Sequence, residues 1–548
     1  MLKKIRLVTL ILVAIIWFII ILPYFLVQTD IGTRYASQLI SYYNKDYSIR
    51  IGHISHSITK PYEITLDNVS IEDKTHLVTY LSAKKAVIGL KQTDLLQAKS
   101  FDYLVLENGD IKLSPSIENI NIDFLQLKDI SLYYQAPNNA NNIVLNHIYG
   151  GIKPWSKRVI TERIDSQFNF TIEMASYNDI DIQSIFVKGN QKDKTLQLIN
   201  LGGDIKTGFF TANASVLADN SVLVKQLKVN KLNFQSEDRL SNINKMFSQL
   251  PKTDIQQLSI IDSSINLADF SVEKANLDIQ NITYNHDWQL QKSNLFFNAQ
   301  SMTYHEQLIE QPLVQWRNQE NKIIIEQALG LWNKGSIKLS ANWQNNELTI
   351  DSIIASGIRY QLPLNWWQQL AKVHFSPSLP SHITIKQFTL MPSLIIDTNP
   401  EFPFQFTNFE AFGNNIDINS TNEAFHVNGT ILFKADSGTL NTIELQKPDL
   451  SLNFTPTENK LSFSTLISQG VLEGDANLIS AEELQSLSIS SHAVDSQILS
   501  LWYLINNPIK TDNFDIKLHG YLEPLSLDGI LQTADKQYQI KNNQLDAY

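Results

Sequence analysis

The chain contains no cysteine. That excludes a disulfide framework and a lipid-modified N-terminal cysteine, so the fold must hold by its core alone. Charge is also scarce: Asp, Glu, Lys and Arg make up 18% of the residues, against roughly 25% in an average soluble domain. Asn, Ser, Thr and Gln take their place. The formal net charge is -11, a poor match to nucleic acid, which requires a basic footprint. Catalytic signatures are missing as well. There is no His-Glu-x-x-His, no Gly-x-Ser-x-Gly and no Walker loop. The 11 histidines are scattered. The one close pair, His53 and His56, is three apart, which in a strand puts the rings on opposite faces rather than around a metal. Asp179 and Asp181 share a strand face, with Ile180 and Ile182 marking the other as buried, the pattern of a solvated strand. Gly202-Gly203 fits a strand turn better than a phosphate cradle. No catalytic residue, metal or cofactor is expected, and the chain does not read as an enzyme.

What is present begins with an apolar run from Leu7 to Val27, preceded by Lys3, Lys4 and Arg6. About 21 residues at roughly 1.5 Å each cross a bilayer core of about 30 Å. The run is long and bulky, with Trp17 and Phe18 inside it and no Ala-x-Ala after it, so it reads as a retained anchor rather than a cleaved signal peptide. Basic residues stay on the cytoplasmic side, which places everything after Asp30 across the membrane. No second run of this kind follows.

A short helix is expected next, from Ile31, Tyr35, Leu39 and Tyr42 at helical spacing. From about Tyr47 the period becomes two. Tyr62, Ile64 and Leu66 alternate with polar residues, as do Ile337, Leu339, Ala341 and Trp343, then Leu450, Leu452 and Phe454. Turn residues such as Gln344-Asn345-Asn346-Glu347 join such runs into hairpins, and Asn108-Gly109 and Asn428-Gly429 give similar punctuation. Strict alternation means one apolar and one polar face, and the apolar face must be covered. Two interior helices stand out, near 237–250 and 362–375, each ending at a Leu-Pro pair with an alternating strand beyond. A weaker copy runs from Ile498 to Ile505. Together they suggest a loose repeat of roughly 130 residues, well above solenoid periods. These helices are too few to cover so many strands. A long sheet twists, and curling it encloses the apolar face as a channel that suits acyl chains at about 0.8 kcal/mol per buried methylene.

Residues 7–132 resemble the AsmA-like family of bacterial envelope proteins. The features are the anchor, the short helix, the strand Tyr62-Glu63-Ile64-Thr65-Leu66-Asp67-Asn68-Val69-Ser70-Ile71, the segment Lys91-Gln92-Thr93-Asp94-Leu95-Leu96, and the strand from Phe101 to Ile111. The resemblance implies a single-pass inner-membrane protein of a Gram-negative bacterium, with a periplasmic body and a role in outer-membrane homeostasis. It also implies likeness to bridge-like lipid transfer proteins, whose long β groove conducts phospholipid. It brings no catalytic residues and no ATPase motif.

The expected architecture is therefore mostly β: a long, twisted, mainly antiparallel sheet curled into an elongated apolar groove, with a few short helices and one N-terminal transmembrane helix. Residues 1–29 form the cytoplasmic tip and anchor (Lys3, Lys4, Arg6, Leu7, Trp17, Val27), 30–46 a juxtamembrane helix, and 47–548 the body. Candidate lining residues are Ile64, Leu66, Leu104, Leu106, Ile111, Leu113, Ile122, Phe124, Leu339, Leu452 and Phe454. The expected partners are phospholipid, the inner membrane and an outer-membrane or periplasmic protein at the C-terminal end. The competing reading is a non-enzymatic scaffold or assembly factor for outer-membrane proteins, in which the same face is a closed core.

Overall fold

The computed structural model describes the chain except residues 1, 45, 76–77, 92–99, 114–120, 136–141, 157, 160–161, 178–179, 243–249, 291, 320–321, 365, 367–379, 381, 422–423, 456–458, 481–482 and 547–548. The described residues are mostly in strands, with a few helices. The chain divides into two compact units, residues 1–265 with 280–289, and residues 266–279 with 290–548.

The first unit opens with helix α1 (Leu2–Val27) and helix α2 (Asp30–Tyr43). α1 is 26 residues long, with Lys3, Lys4, Arg6 and Leu7 in its first turns. Its side chains from Ile11 to Phe18 are exposed, Trp17 by 65%, and Val27 stands at its end. Among the described residues, which for the side chains of α1 leave out 2–10, 19–21 and 23, no helix is long and apolar enough to cross a membrane. α2 carries Ile31, Tyr35, Leu39 and Tyr42 on one exposed stripe.

Strands follow: β1 (Tyr47–Ser57), β2 (Lys60–Asp73), β3 (Thr79–Leu90), β4 (Ser100–Lys112), β5 (Asn121–Gln135), β6 (Asn142–Lys153), β7 (Ser166–Tyr177), β8 (Ile180–Lys192), β9 (Thr195–Ile205), β10 (Gly208–Val216), β11 (Val222–Asn230), β12 (Asn233–Gln235) and β13 (Thr253–Asn266). Pairing is antiparallel from β1 to β4 and again from β5 to β11. β4 and β5 are parallel, and so are β11 and β13. In the second unit, strands from Gln307–Gln319 to Glu347–Ser356 pair antiparallel, Glu347–Ser356 pairs parallel with His382–Asp397, and the order from there to Gln544–Asp546 is antiparallel.

The parallel pairs explain the internal repeat. Antiparallel neighbours need only a tight turn, whereas parallel neighbours need a crossover. The segment from β11 to β13 and that from Glu347–Ser356 to His382–Asp397 are crossovers that coincide with the two expected helices, and the β4–β5 connection is a further one. In the first, the Leu232 amide donates to Ser263 Oγ at 3.1 Å; in the second, the Ile358 amide donates to Ser393 Oγ at 3.2 Å. A side chain at Gly208 would run into the Asn230 carbonyl, and one at Gly335 into the Ser356 carbonyl. The helix stripes themselves fall largely outside the described residues; Leu240–Asn242 are helical and Trp366 is described. The third copy differs. Helix α3 (Ile498–Leu501) does form, but the strands flanking it, Glu483–His492 and Asn513–Leu522, pair antiparallel.

Local turn chemistry departs from expectation at three places. The Gln344–Glu347 hairpin is present, with Asn345 and Asn346 at φ 49° and 66°, the left-handed pair that two-residue turns require. Asn108-Gly109, however, lies inside β4, Asn428-Gly429 inside Ala424–Lys434, and Gly202-Gly203 inside β9. Asn108 is a left-handed residue inside a strand rather than a turn. It sits at φ 51°, level with Asn68 (50°), Asp129 (59°) and His147 (53°) in β2, β5 and β6. Each resets the alternation of its own strand, while the register between strands stays constant across Asn68 and Asn108. Leu66 and Val69 therefore share a face, as do Leu106 and Ile111, although strict period two would separate them.

Candidate functional site: the apolar faces

In the first unit the reset alternation lines up apolar side chains from strand to strand. One rung runs Leu66–Ala86–Leu106–Leu127–Gly150–Phe170–Val187–Leu201 through β2 to β9. It continues as Ala212–Leu227–Leu258 into β10, β11 and β13. The next rung begins Ile64–Ile88–Leu104–Leu125–Ile152. Val69, Ala83, Leu106, Leu127, Ile130 and Ile148 form the buried centre of this face, and Leu66, Leu104 and Ile111 pack half-buried against it. Small residues interrupt the first rung at Ala86, Gly150 and Ala212. At Gly150, with φ +140°, a Cβ would meet the backbone of Asn169 and Phe170, so β6 and β7 can approach closely beside Phe170.

The second unit repeats the device. A rung runs Leu339–Ile353–Phe388–Gly413–Ile431–Leu452–Leu461–Ala476–Leu487–Leu518. Phe454 shares its strand face with Leu452 and stands opposite Gly429. Toward the C-terminus the chain covers its own rungs. Ile498, Leu499 and Ile505 of α3 and the loop after it are at most 3% exposed, against Leu472, Ile489, Ile516, Leu527 and Leu531. Side chains bind this segment in place: Trp502 Nε1 donates to the Leu440 carbonyl at 3.1 Å, and Asn543 Nδ2 to the Leu504 carbonyl at 3.1 Å. By contrast, Leu339, Leu452 and Phe454 remain half-buried.

Placement of the candidate lining residues divides them. Ile64, Leu66, Leu104, Leu106 and Ile111 meet on one face, and Leu339, Leu452 and Phe454 on one face of the second unit. Leu113 follows the end of β4, half-buried, its amide on the Tyr133 carbonyl at 2.9 Å. Ile122 and Phe124 stand elsewhere. They pair in register with Phe101 and Tyr103, on the side of β5 opposite Leu125 and Leu127. Phe124 is 39% exposed, while Ile122 is covered where its backbone bridges to Trp155. The alternation in Asn121–Leu127 contains two adjacent apolar residues, Phe124 and Leu125, and a sequence alone does not say which of them faces in.

The opposite face is polar and cross-paired. Asp67, Lys85, Glu107 and Lys128 stand side by side on β2 to β5, with Lys128 Nζ 2.8 Å from Glu107 Oε1. That hydrogen bond holds the Glu107 carboxyl below its ordinary range. Tyr103 donates to Glu63 Oε2 at 2.5 Å, which lowers Glu63 and pushes the Tyr103 phenol up to about 12. His147 Nδ1 lies 2.6 Å from Asp129 Oδ1, and that contact raises the imidazole. The Lys128–Glu107 and His147–Asp129 pairs are exposed, and the Tyr103–Glu63 pair is part-buried. Alternating charges of this kind fix neighbours in register.

No family model matches the chain. Over 511 residues it is 28% identical to the AsmA family protein YicH of Escherichia coli strain K12, spanning 91% of this chain and 88% of that protein. That near-full-length likeness supports an AsmA-like family assignment.

Proposed function

We propose that this protein is a non-enzymatic lipid carrier of the bacterial envelope. α1 anchors it in the inner membrane with the N-terminus in the cytoplasm, and the body lies in the periplasm. Phospholipid acyl chains lie along the apolar rungs, which form a groove, while head groups stay in water. The protein thereby helps to move lipid between inner and outer membranes and supports outer-membrane homeostasis, with an outer-membrane or periplasmic protein receiving at the C-terminal end. The observation that carries this reading is the unbroken apolar register within each unit, half-buried at Leu66, Leu104, Leu339 and Leu452. A finished core has its large aliphatic side chains fully buried and touching many neighbours. Half-buried rungs retain apolar surface that an acyl chain would cover, at about 0.8 kcal/mol per methylene. The near-full-length likeness to an AsmA family protein agrees with an envelope role.

A photoreactive amino acid at Leu104, in the full-length protein in growing cells, tests the proposal against the same group at Phe124. Phospholipid adducts are expected from Leu104 and not from Phe124. Protein adducts alone from Leu104 would favour the scaffold reading instead. One observation speaks for that second reading: the rungs under α3 are sealed by the chain itself, so this part acts as a core.

A further inference from the structure

Helix α2 is amphipathic with its polar stripe turned inward. Thr33, Ser37 and Ser41 recur every four residues and share one face. That face lies along the edge of β1 turned away from β2. The amides of Ile54, Ile51 and Ile49 donate to Thr33 Oγ1 (3.2 Å), Ser37 Oγ (2.8 Å) and Ser41 Oγ (2.8 Å). Ser41 Oγ also donates to the Ile49 carbonyl at 2.9 Å. The hydroxyls stand in for a missing strand and blunt an edge that would otherwise recruit one.

The apolar residues of α2 therefore face outward. Ile31, Tyr35, Leu39 and Tyr42 are 69%, 69%, 62% and 83% exposed. A contiguous apolar stripe left open on a helix marks a contact surface. The corner before it says what covers it. α2 begins directly after α1, and the bend is fixed: Thr33 Oγ1 donates to the Val27 carbonyl at 3.1 Å, the Gly32 amide donates to Thr29 Oγ1 at 3.2 Å, and any side chain at Gly32 would collide with the Leu26 carbonyl. The last turn of α1 is tied to the β1–β2 hairpin, because Tyr24 donates to the His56 carbonyl at 3.1 Å. The stripe is thus held beside α1, whose side chains from Ile11 to Phe18 are apolar and exposed. Its tyrosines, with Arg34 exposed alongside, have the composition of a membrane–water interface.

We infer that α2 lies in the headgroup layer of a phospholipid bilayer, its Ile31–Tyr35–Leu39–Tyr42 stripe on lipid, holding the edge of β1 at the membrane surface. This rests on the anchor role proposed for α1. Geometry makes the inference testable by depth. The helix is 14 residues long and spans about 21 Å at 1.5 Å per residue. Were it to run along the bilayer normal, Leu39 and Tyr42 would stand well out in water.

Because the chain has no cysteine, single-cysteine variants report depth directly. Trp17→Cys, Tyr35→Cys, Leu39→Cys and Lys188→Cys all replace exposed side chains. Each full-length variant carries an environment-sensitive fluorophore in phosphatidylcholine–phosphatidylglycerol vesicles, with doxyl quenchers at shallow or deep acyl positions. Loss of fluorescence is expected at Tyr35 and Leu39 with the shallow quencher, at Trp17 with the deep one, and at Lys188 with neither. If Trp17 is quenched while Leu39 behaves as Lys188, the stripe belongs to water or to a protein partner; the inference falls and the anchor stands. If Trp17 is not quenched, the anchor falls and takes the inference with it. Neither result alters the lipid-adduct test at Leu104.

Discussion

Leu104→Asp, compared with Phe124→Asp, tests the division of faces most sharply. The two residues stand on neighbouring, paired strands but on opposite sides of the sheet. Leu104 is half-buried at the margin of the apolar cluster, whereas Leu106 is 4% exposed within it. Full burial of a leucine is worth about 1.5–3 kcal/mol, so removing Leu104 costs the fold roughly half of that, small beside a net stability of about 5–15 kcal/mol. Leu106 is the worse choice, since truncating a fully buried leucine costs about 2–5 kcal/mol. For bound lipid the effect is larger. A hydrated carboxylate on the rung deprives about four methylenes of their apolar contact, a loss of about 3 kcal/mol. That corresponds to roughly a hundredfold in occupancy. The assay is lipid adduct formation from a photoreactive group at Leu66, one rung over and two strands away. Leu104→Asp should reduce the adduct by at least an order of magnitude, and Phe124→Asp should leave it unchanged. A folded Leu104→Asp protein with undiminished adduct refutes the reasoning, as does an equal loss from Phe124→Asp.

Other expectations follow from the same contacts. Ser37→Ala with Ser41→Ala removes the acceptors for the Ile51 and Ile49 amides; at about 1 kcal/mol per hydrogen bond it should lower the unfolding midpoint and speed amide exchange at those two positions, and unchanged exchange would count against the edge cap. Leu499→Ala, at a position 1% exposed, should cost about 2–5 kcal/mol, with exchange rising first in 494–505; uniform exchange across both units would show that α3 is not a local cover. Glu63→Gln should return the Tyr103 phenol from about 12 toward 10, read by phenolate absorbance. Because the folded phenol is raised, its contribution to stability is full below pH 10 and is lost as pH rises through about 12; because the Glu63 carboxyl is lowered, its contribution is lost as pH falls through its folded value. Asp129→Asn should lower the raised His147 titration followed by NMR; an unmoved imidazole would show that the Asp129 contact is not what raises it.

Composition and period alone determined much of this protein. The scarcity of charge and the alternation in Tyr62–Leu66, Ile337–Trp343 and Leu450–Phe454 reflect side chains that must point to opposite sides of a strand, so a mostly β fold with one apolar face was legible in them. The helical spacing of Ile31, Tyr35, Leu39 and Tyr42 likewise shows α2. The direction in which that stripe points was not legible, because periodicity defines a face and not its neighbour. Only the tertiary structure places Thr33, Ser37 and Ser41 on β1 and turns the apolar side out. The same holds for Phe124 and Leu125, adjacent and both apolar, where strand pairing selects Leu125 for the rung. Asn108-Gly109 has the composition of a turn, yet pairing with β3 and β5 keeps it in a continuous strand. Parallel pairing across the crossovers and the cover of α3 over the last rungs depend on contacts between residues far apart in the chain. Local sequence fixes which residues can be apolar neighbours; the register of distant strands decides which of them meet.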